Sequence, residues 1–150
     1  METYKDMKER QEQETHAFIA EHAFFAFTDE QFNEGLVKLG IGKEEAVRLL
    51  VHIGANCYML KEKRDAYVAL SNRLEAELME NIAQDPTGDG FIFDMFYYEL
   101  ANHEYAISGE LGPAIMACGL TVQDLKDNPA LYAGLKKAVK QVVKDYENDN

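Results

Sequence analysis

Residues 91–100, FIFDMFYYEL, leave two charged positions in an otherwise apolar and aromatic run. At helical spacing Phe93, Phe96, Tyr97 and Leu100 share one face, with Ile92 and Met95 on its flanks. A helix that is apolar around most of its circumference must be wrapped by other elements. The segment therefore reads as the central helix of the fold rather than as a ligand box. That reading sets a condition on Asp94, Glu99 and Glu104: each must reach solvent or find a partner, because an unpaired buried carboxylate is costly.

The neighbouring segments say what does the wrapping. Residues 1–21 form a polar helix with sparse apolar positions (Tyr4, Met7, Phe18), only partly docked or reaching toward a partner. HAFFAF, residues 22–27, is a strand candidate. Thr28 with Gln31 gives a capping box, and Phe32, Leu36 and Leu39 continue at helical spacing until Gly40 and Gly42. Residues 43–50 read as a further helical turn or two. In VHIGANCYML, two apolar runs flank Gly54, Ala55 and Asn56, the pattern of a hairpin, and HAFFAF supplies a third strand.

Tyr67, Leu70, Leu74, Leu78 and Ile82 stripe a helix from Lys61 to about Gln84, which DPTGDG (85–90) breaks. The helix opening at Phe91 should run to about Ala106, capped by Thr87 or Asp89. Pro113 opens a short helix closed by Gly119. Thr121 with Asp124 starts another, and Asn128-Pro129 caps the last, with Leu131, Leu135, Ala138, Val139 and Val142 inward and Lys136, Lys137, Lys140 and Lys144 outward. The tail, 146–150, is expected to fray. The pattern predicts a single α+β domain over residues 1–150, predominantly helical, with a small antiparallel sheet of about three strands near its amino-terminal half.

Charge narrows the function. The chain has 27 acidic against 15 basic residues, a formal net of -12. Between Leu74 and Leu125 there is no Lys or Arg, while Glu75, Glu77, Glu80, Asp85, Asp89, Asp94, Glu99, Glu104, Glu110 and Asp124 all fall there. A field of that sign repels phosphate backbones and attracts basic surfaces, so direct nucleic-acid binding is not expected. No apolar stretch suits a membrane span, and METYKDMKERQEQE has no secretory h-region, which makes the cytoplasm the default address. Cys57 and Cys118 stand far apart, as buried thiols rather than a disulfide or zinc framework.

The chemistry-bearing candidates each meet a plain structural alternative. Asp85, Thr87, Asp89 and Gly90 imitate the start of a calcium-binding loop, yet Phe96 occupies the place of its closing bidentate Glu and Asp94 is out of phase. A capped interhelical turn is the expectation, with no metal and no cofactor. Glu99 and His103, four apart, share a face and could hydrogen-bond or ligate together, giving a general base. A structural His tied to Glu99 accounts for the same spacing. No serine-nucleophile, phosphate-loop or dinucleotide pattern is present.

Three segments together, FAFTDEQFNEG (25–35), HIGANCYMLK (52–61) and ELANHEY (99–105), resemble a largely uncharacterised family of small proteins carried by phages and mobile elements. Its pattern runs F-A-F-x-x-x-Q-F-x-E, then I-G-A-x-x-Y-x-x-K, then E-L-x-N-H-E. The likeness extends from about Phe24 to Gly119, and some anti-CRISPR inhibitors look similar over the same segments. Phe25, Phe27, Gln31, Phe32, Glu34, Gly54, Ala55, Tyr58, Glu99, Leu100, Asn102, His103 and Glu104 match; Thr28 and Asn56 depart. The resemblance implies no catalytic role for any of them.

Charge and resemblance together lead to an expectation of a non-enzymatic acidic binding protein of phage or mobile-element origin. Its partner would be a basic protein surface, such as that of a nucleic-acid-binding defence nuclease. Glu75, Glu77, Glu80, Asp85 and Asp89 would supply the field and Asn102, His103 and Glu104 the directional contacts. The alternatives are a hydrolytic enzyme, metal-dependent or not, centred on Glu99 and His103, and a structural subunit assembled through its first helix. Oligomeric state is open.

Overall fold

A computed structural model describes residues 2–150. In chain order the elements are α1 (Tyr4–His22), β1 (Ala23–Phe25), α2 (Asp29–Leu39), α3 (Ala46–Leu49), β2 (Leu50–His52), β3 (Cys57–Leu60) and α4 (Arg64–Ala83). Then follow α5 (Phe91–Asn102), α6 (Tyr105–Ser108), α7 (Gly112–Ala117), α8 (Val122–Asp127) and α9 (Pro129–Asp149). The fold is α+β and predominantly helical, with one open three-stranded antiparallel sheet ordered β1-β3-β2. Two compact units divide it, residues 9–76 and residues 2–8 with 77–150, and the chain passes between them inside α1 and α4.

The unit of residues 9–76 is built on the sheet. Phe24 pairs with Tyr58 and Val51 with Met59, so alternate residues face opposite sides. One side buries Ala23, Cys57 and Met59 against Phe18, Ile19 and Tyr67. The other packs Phe24 on Leu36, Phe32 and Tyr58. The hairpin turn needs three successive left-handed residues, Gly54, Ala55 and Asn56 (φ 94, 50 and 60°). At Thr28 the cap forms as the spacing predicts, its hydroxyl accepting from Gln31 N at 3.1 Å. The return bond shifts by one residue: Gln31 Oε1 accepts from Phe27 N at 2.7 Å.

In the unit of residues 2–8 and 77–150, α5 is the central helix. Its buried row is Phe91, Ile92, Met95, Phe96, Glu99 and Leu100, rotated from the face that the sequence suggests. Phe93 and Tyr97 lie at the margin, half-buried and stacked at 5.9 Å between ring centroids. The rotation follows from what covers α5. Leu131, Leu135, Ala138 and Val142 of α9, with Ala114, Ile115 and Cys118 from α7 and its cap, share its core, and Tyr4 and Met7 of α1 complete it. Gly134 makes the close approach possible: a Cβ there would lie 2.4 Å from Ile92 Cγ2 and 2.8 Å from the Gly88 carbonyl oxygen. Gly88, at φ 82°, is pressed equally tightly on Ala130 O.

The α4–α5 connection corrects the predicted cap. Gly90 is the N-cap of α5 and offers no side chain. Asp85 does the work from outside, Oδ1 accepting from Gly88 N and Oδ2 from Gly90 N and Ile92 N, each at 3.0 Å. Burial alone would raise the Asp85 carboxyl, but those amide bonds outweigh it and hold it below the ordinary value. The helix also stops earlier than the apolar pattern suggests. It breaks after Asn102, because Glu104 takes a left-handed conformation (φ 56°) before α6. At the other end of the unit, α9 continues to Asp149, through the residues expected to fray.

Two variants test this packing. Gly134→Ala should cost about 1–3 kcal/mol in urea denaturation, because the new methyl meets backbone as well as a side chain. Asp85→Asn should cost roughly 2–3 kcal/mol at neutral pH. A depressed carboxyl stabilises above its unfolded value of about 3.9 and loses that stabilisation as pH falls through the lower folded value. The gap between wild type and Asp85→Asn should therefore close in acid; a gap unchanged at low pH would refute the anionic lock.

Candidate functional site

Glu99 is the first candidate to place. It stands on the inner face of α5, fully buried, and its carboxylate receives Lys8 Nζ at 2.9 Å on both oxygens and Tyr4 OH at 3.0 Å. Lys8 also lies 5.3 Å from the Tyr98 ring centroid, a cation–π contact. Burial, aided by Glu99 and Cys118, pushes the Tyr4 phenol far above its usual range. Burial and the Glu99 charge likewise push the Cys118 thiol up to about 12, which leaves an inert neutral thiol. The condition set by the sequence is met: the carboxylate that went inside took a cation with it.

The Glu99–His103 pair does not form as a side-chain pair. His103 caps α5, its backbone N–H bonding Glu99 O at 3.0 Å, while the Glu99 carboxylate is occupied by Tyr4 and Lys8. Among the described residues no three His, Cys, Asp or Glu side chains gather as a metal-binding group.

The acids of the lysine-free window do not form one outward patch. Asp85 is buried in its loop and offers a partner nothing, a correction to its place among the partner-binding candidates. Asp89 is ion-paired with Lys137 of α9. Asp124 is spent on the Thr121 capping box. On α4, Glu75 and Glu80 are exposed and Glu77 half-buried. Glu77 and Glu80 share a face, whereas Glu75, two residues before Glu77, faces elsewhere.

What the fold brings together instead lies at the carboxyl ends of α5 and α9. Ile92 packs at Gly134 and Tyr97 reaches Asp145, so the two helices run parallel and their ends converge. There a hollow of about 240 Å³ is lined by Tyr97, Tyr105, Tyr146, Glu104, Asp145 and Asp149 over an apolar floor that includes Leu100 and Val142. No Lys or Arg lines it. The Tyr97 hydroxyl donates to Asp145, raising the Tyr97 phenol. The same bond and one from Gln141 Nε2 at 2.8 Å hold the Asp145 carboxyl below its ordinary value, so it stays an anion. Helix carboxyl ends carry partial negative charge, and the last turn of α9 contains no base. Carboxylates and carbonyl ends of one sign are thus stacked beside three aromatic rings. The chemistry such a hollow suits is an organic cation, held by charge and by ring faces.

Of the sequence candidates, Glu104 lines this hollow. Asn102 lines a neighbouring one of about 630 Å³ that shares Tyr97 and also contains Asp94. Asp145, Asp149 and the three tyrosines were not among the candidates. Acidic residues in a final helical turn, where bases belong, are the sequence signal that could have found Asp145 and Asp149.

The chain belongs to a family of unknown function, DUF7659, whose model matches residues 3–141. No curated protein and no solved structure matches it.

The Glu99 clasp gives a direct test. Lys8→Met leaves a fully buried carboxylate with Tyr4 as its remaining partner. Breaking a buried pair costs roughly 3–5 kcal/mol, and the partial exposure of Lys8 puts the expected loss near the lower end, about 3 kcal/mol. Lys8→Met with Glu99→Leu should recover most of it. Urea denaturation of both single variants and the double variant reads the coupling; a single variant no worse than an ordinary surface substitution would dismiss the clasp.

Proposed function

We propose that this protein is a non-enzymatic binding protein that seats a lysine or arginine side chain of a basic protein partner in the hollow between α5, α6 and α9. The observation that carries the reading is the lining itself: three tyrosines, three carboxylates and no base. Two helix carboxyl ends of the same sign add to the field, and a bound cation would relieve their mutual repulsion. Glu104 holds a left-handed backbone at the rim, a conformation that costs energy for a residue with a Cβ. Glu75 and Glu80 remain exposed on α4 and would contribute at longer range, steering encounter rather than fixing geometry.

The resemblance of FAFTDEQFNEG, HIGANCYMLK and ELANHEY to small phage and mobile-element proteins extends the proposal to the partner's identity. A nucleic-acid-handling defence protein presents lysine- and arginine-lined channels, the chemistry this hollow would take. The protein would inhibit by occupying such a channel. The alternative, hydrolysis centred on Glu99 and His103, finds less support, since Tyr4 and Lys8 already engage both carboxylate oxygens of Glu99.

Calorimetric titration with an arginine-containing basic peptide tests the reading. Wild type should bind, with affinity falling as salt rises. Glu104→Gln with Asp149→Asn should weaken binding about tenfold, and Tyr146→Ala should weaken it at every salt concentration through lost ring contact. Affinity indifferent to salt, or equal in all three proteins, would sink the proposal.

A further inference from the structure

At the amino end of α9, away from its acidic carboxyl end, the surface has the opposite character. Leu111, Ile115, Val122, Leu125, Tyr132 and Leu135 line a groove of about 560 Å³ bounded by α7, α8 and α9. Val122 and Tyr132 are 59% and 54% exposed, so the apolar surface is open rather than closed over by the chain's own residues. Its charged lining residue is Lys126, exposed and without an acidic partner among the described residues. Lys136 adds a second cation, its Nζ 5.2 Å from the Tyr132 ring centroid.

The acids nearest in sequence, Asp124 and Asp127, do not line the groove. Asp124 is bound into the Thr121 cap and Asp127 accepts from Gln123 at 2.8 Å. Val122, Leu125 and Lys126 recur at helical spacing toward the groove, which leaves Gln123 and Asp127 on another face of α8. In a chain of net charge -12, an apolar groove edged by two lysines is the reverse of the surrounding field. An occupant must bury apolar side chains and meet both cations with anions, which describes an amphipathic segment carrying carboxylates beside its apolar stripe. Grooves between helices take such segments as helices, through anchors at i, i+3, i+4 and i+7.

We propose that the α7–α8–α9 groove docks an acidic amphipathic helix of a partner protein, with apolar anchors on Val122, Leu125 and Tyr132 and carboxylates toward Lys126 and Lys136. The two docking sites are separate in residues and opposite in charge, so either can fail alone.

Fluorescence anisotropy with a labelled amphipathic helical peptide tests this, using a leucine stripe flanked by Glu and a second peptide in which Lys replaces every Glu. The acidic peptide should bind the full chain, and the basic one should bind at least tenfold more weakly. Lys126→Glu should lower affinity for the acidic peptide about tenfold and raise it for the basic peptide. Tyr132→Ala should weaken the acidic peptide. Both substitutions are at exposed positions, and thermal denaturation verifies that the variants stay folded. Equal binding of the two peptides, no binding of either, or indifference to Lys126→Glu would overturn the proposal. Saturable binding of decanoate in the absence of peptide binding would overturn it too, in favour of a small lipid-like carboxylate.

Discussion

The structure of the unit formed by residues 2–8 and 77–150 depends on a buried charge. Central helix α5 cannot turn its apolar residues inward without taking Glu99 along, because Glu99 lies between Phe96 and Leu100 on the same covered side. Burial of that carboxylate is tolerable only with a cation and a donor in place. Lys8 and Tyr4 provide both, and their supply requires α1 to begin where it does. The first two turns of α1 are therefore part of the core, whereas polar composition alone makes them look dispensable. Asp85 repeats the logic without a cation: three backbone amides compensate it, and the loop that holds them fixes the start of α5.

These two internal carboxylates change the meaning of the acidic window. A run without lysine or arginine invites reading as one continuous electronegative face. In three dimensions its members have separate employments: two are internal, one pairs with Lys137, one caps a helix and others stay on α4. Negative charge gathers beside aromatic rings at the joined ends of α5 and α9, and two of the three carboxylates there, Asp145 and Asp149, come from outside the window. Proximity in sequence was a poor guide to electrostatics because parallel packing of the two helices, set by Gly134, decides which carboxylates meet.

Much of the architecture was nevertheless legible. Periodicity located the helices, the central role of residues 91–100 and the stripe of α9, and Gly54, Ala55 and Asn56 marked the hairpin. Caps at Thr28, Thr121 and Asn128 read correctly, since each acts within three residues of its own helix start. Capping by Asp85 was hidden because its acceptor works seven residues ahead of Ile92, beyond any local motif. The rotation of α5 escaped for a related reason: apolar residues surround most of the helix, so their spacing does not distinguish the face that α9 will cover. Tyr146 and Asp149 escaped because a polar terminus resembles a loose end until a neighbouring helix gives it a structural context.

One consequence concerns the order of events on the ribosome. Tyr4 and Lys8 are separated from Glu99 by 95 and 91 positions along the chain. Their counterpart does not yet exist when they leave the exit tunnel. Residues 9–76, whose strands and helices are drawn from one uninterrupted stretch, can organise during translation. Tyr4 and Lys8 have no Glu99 to meet until α5 emerges, and α9, which follows α5 in the chain, completes the core around them. Closure of that core depends on segments far downstream of Tyr4 and Lys8, and contacts of such sequence separation are slow to form.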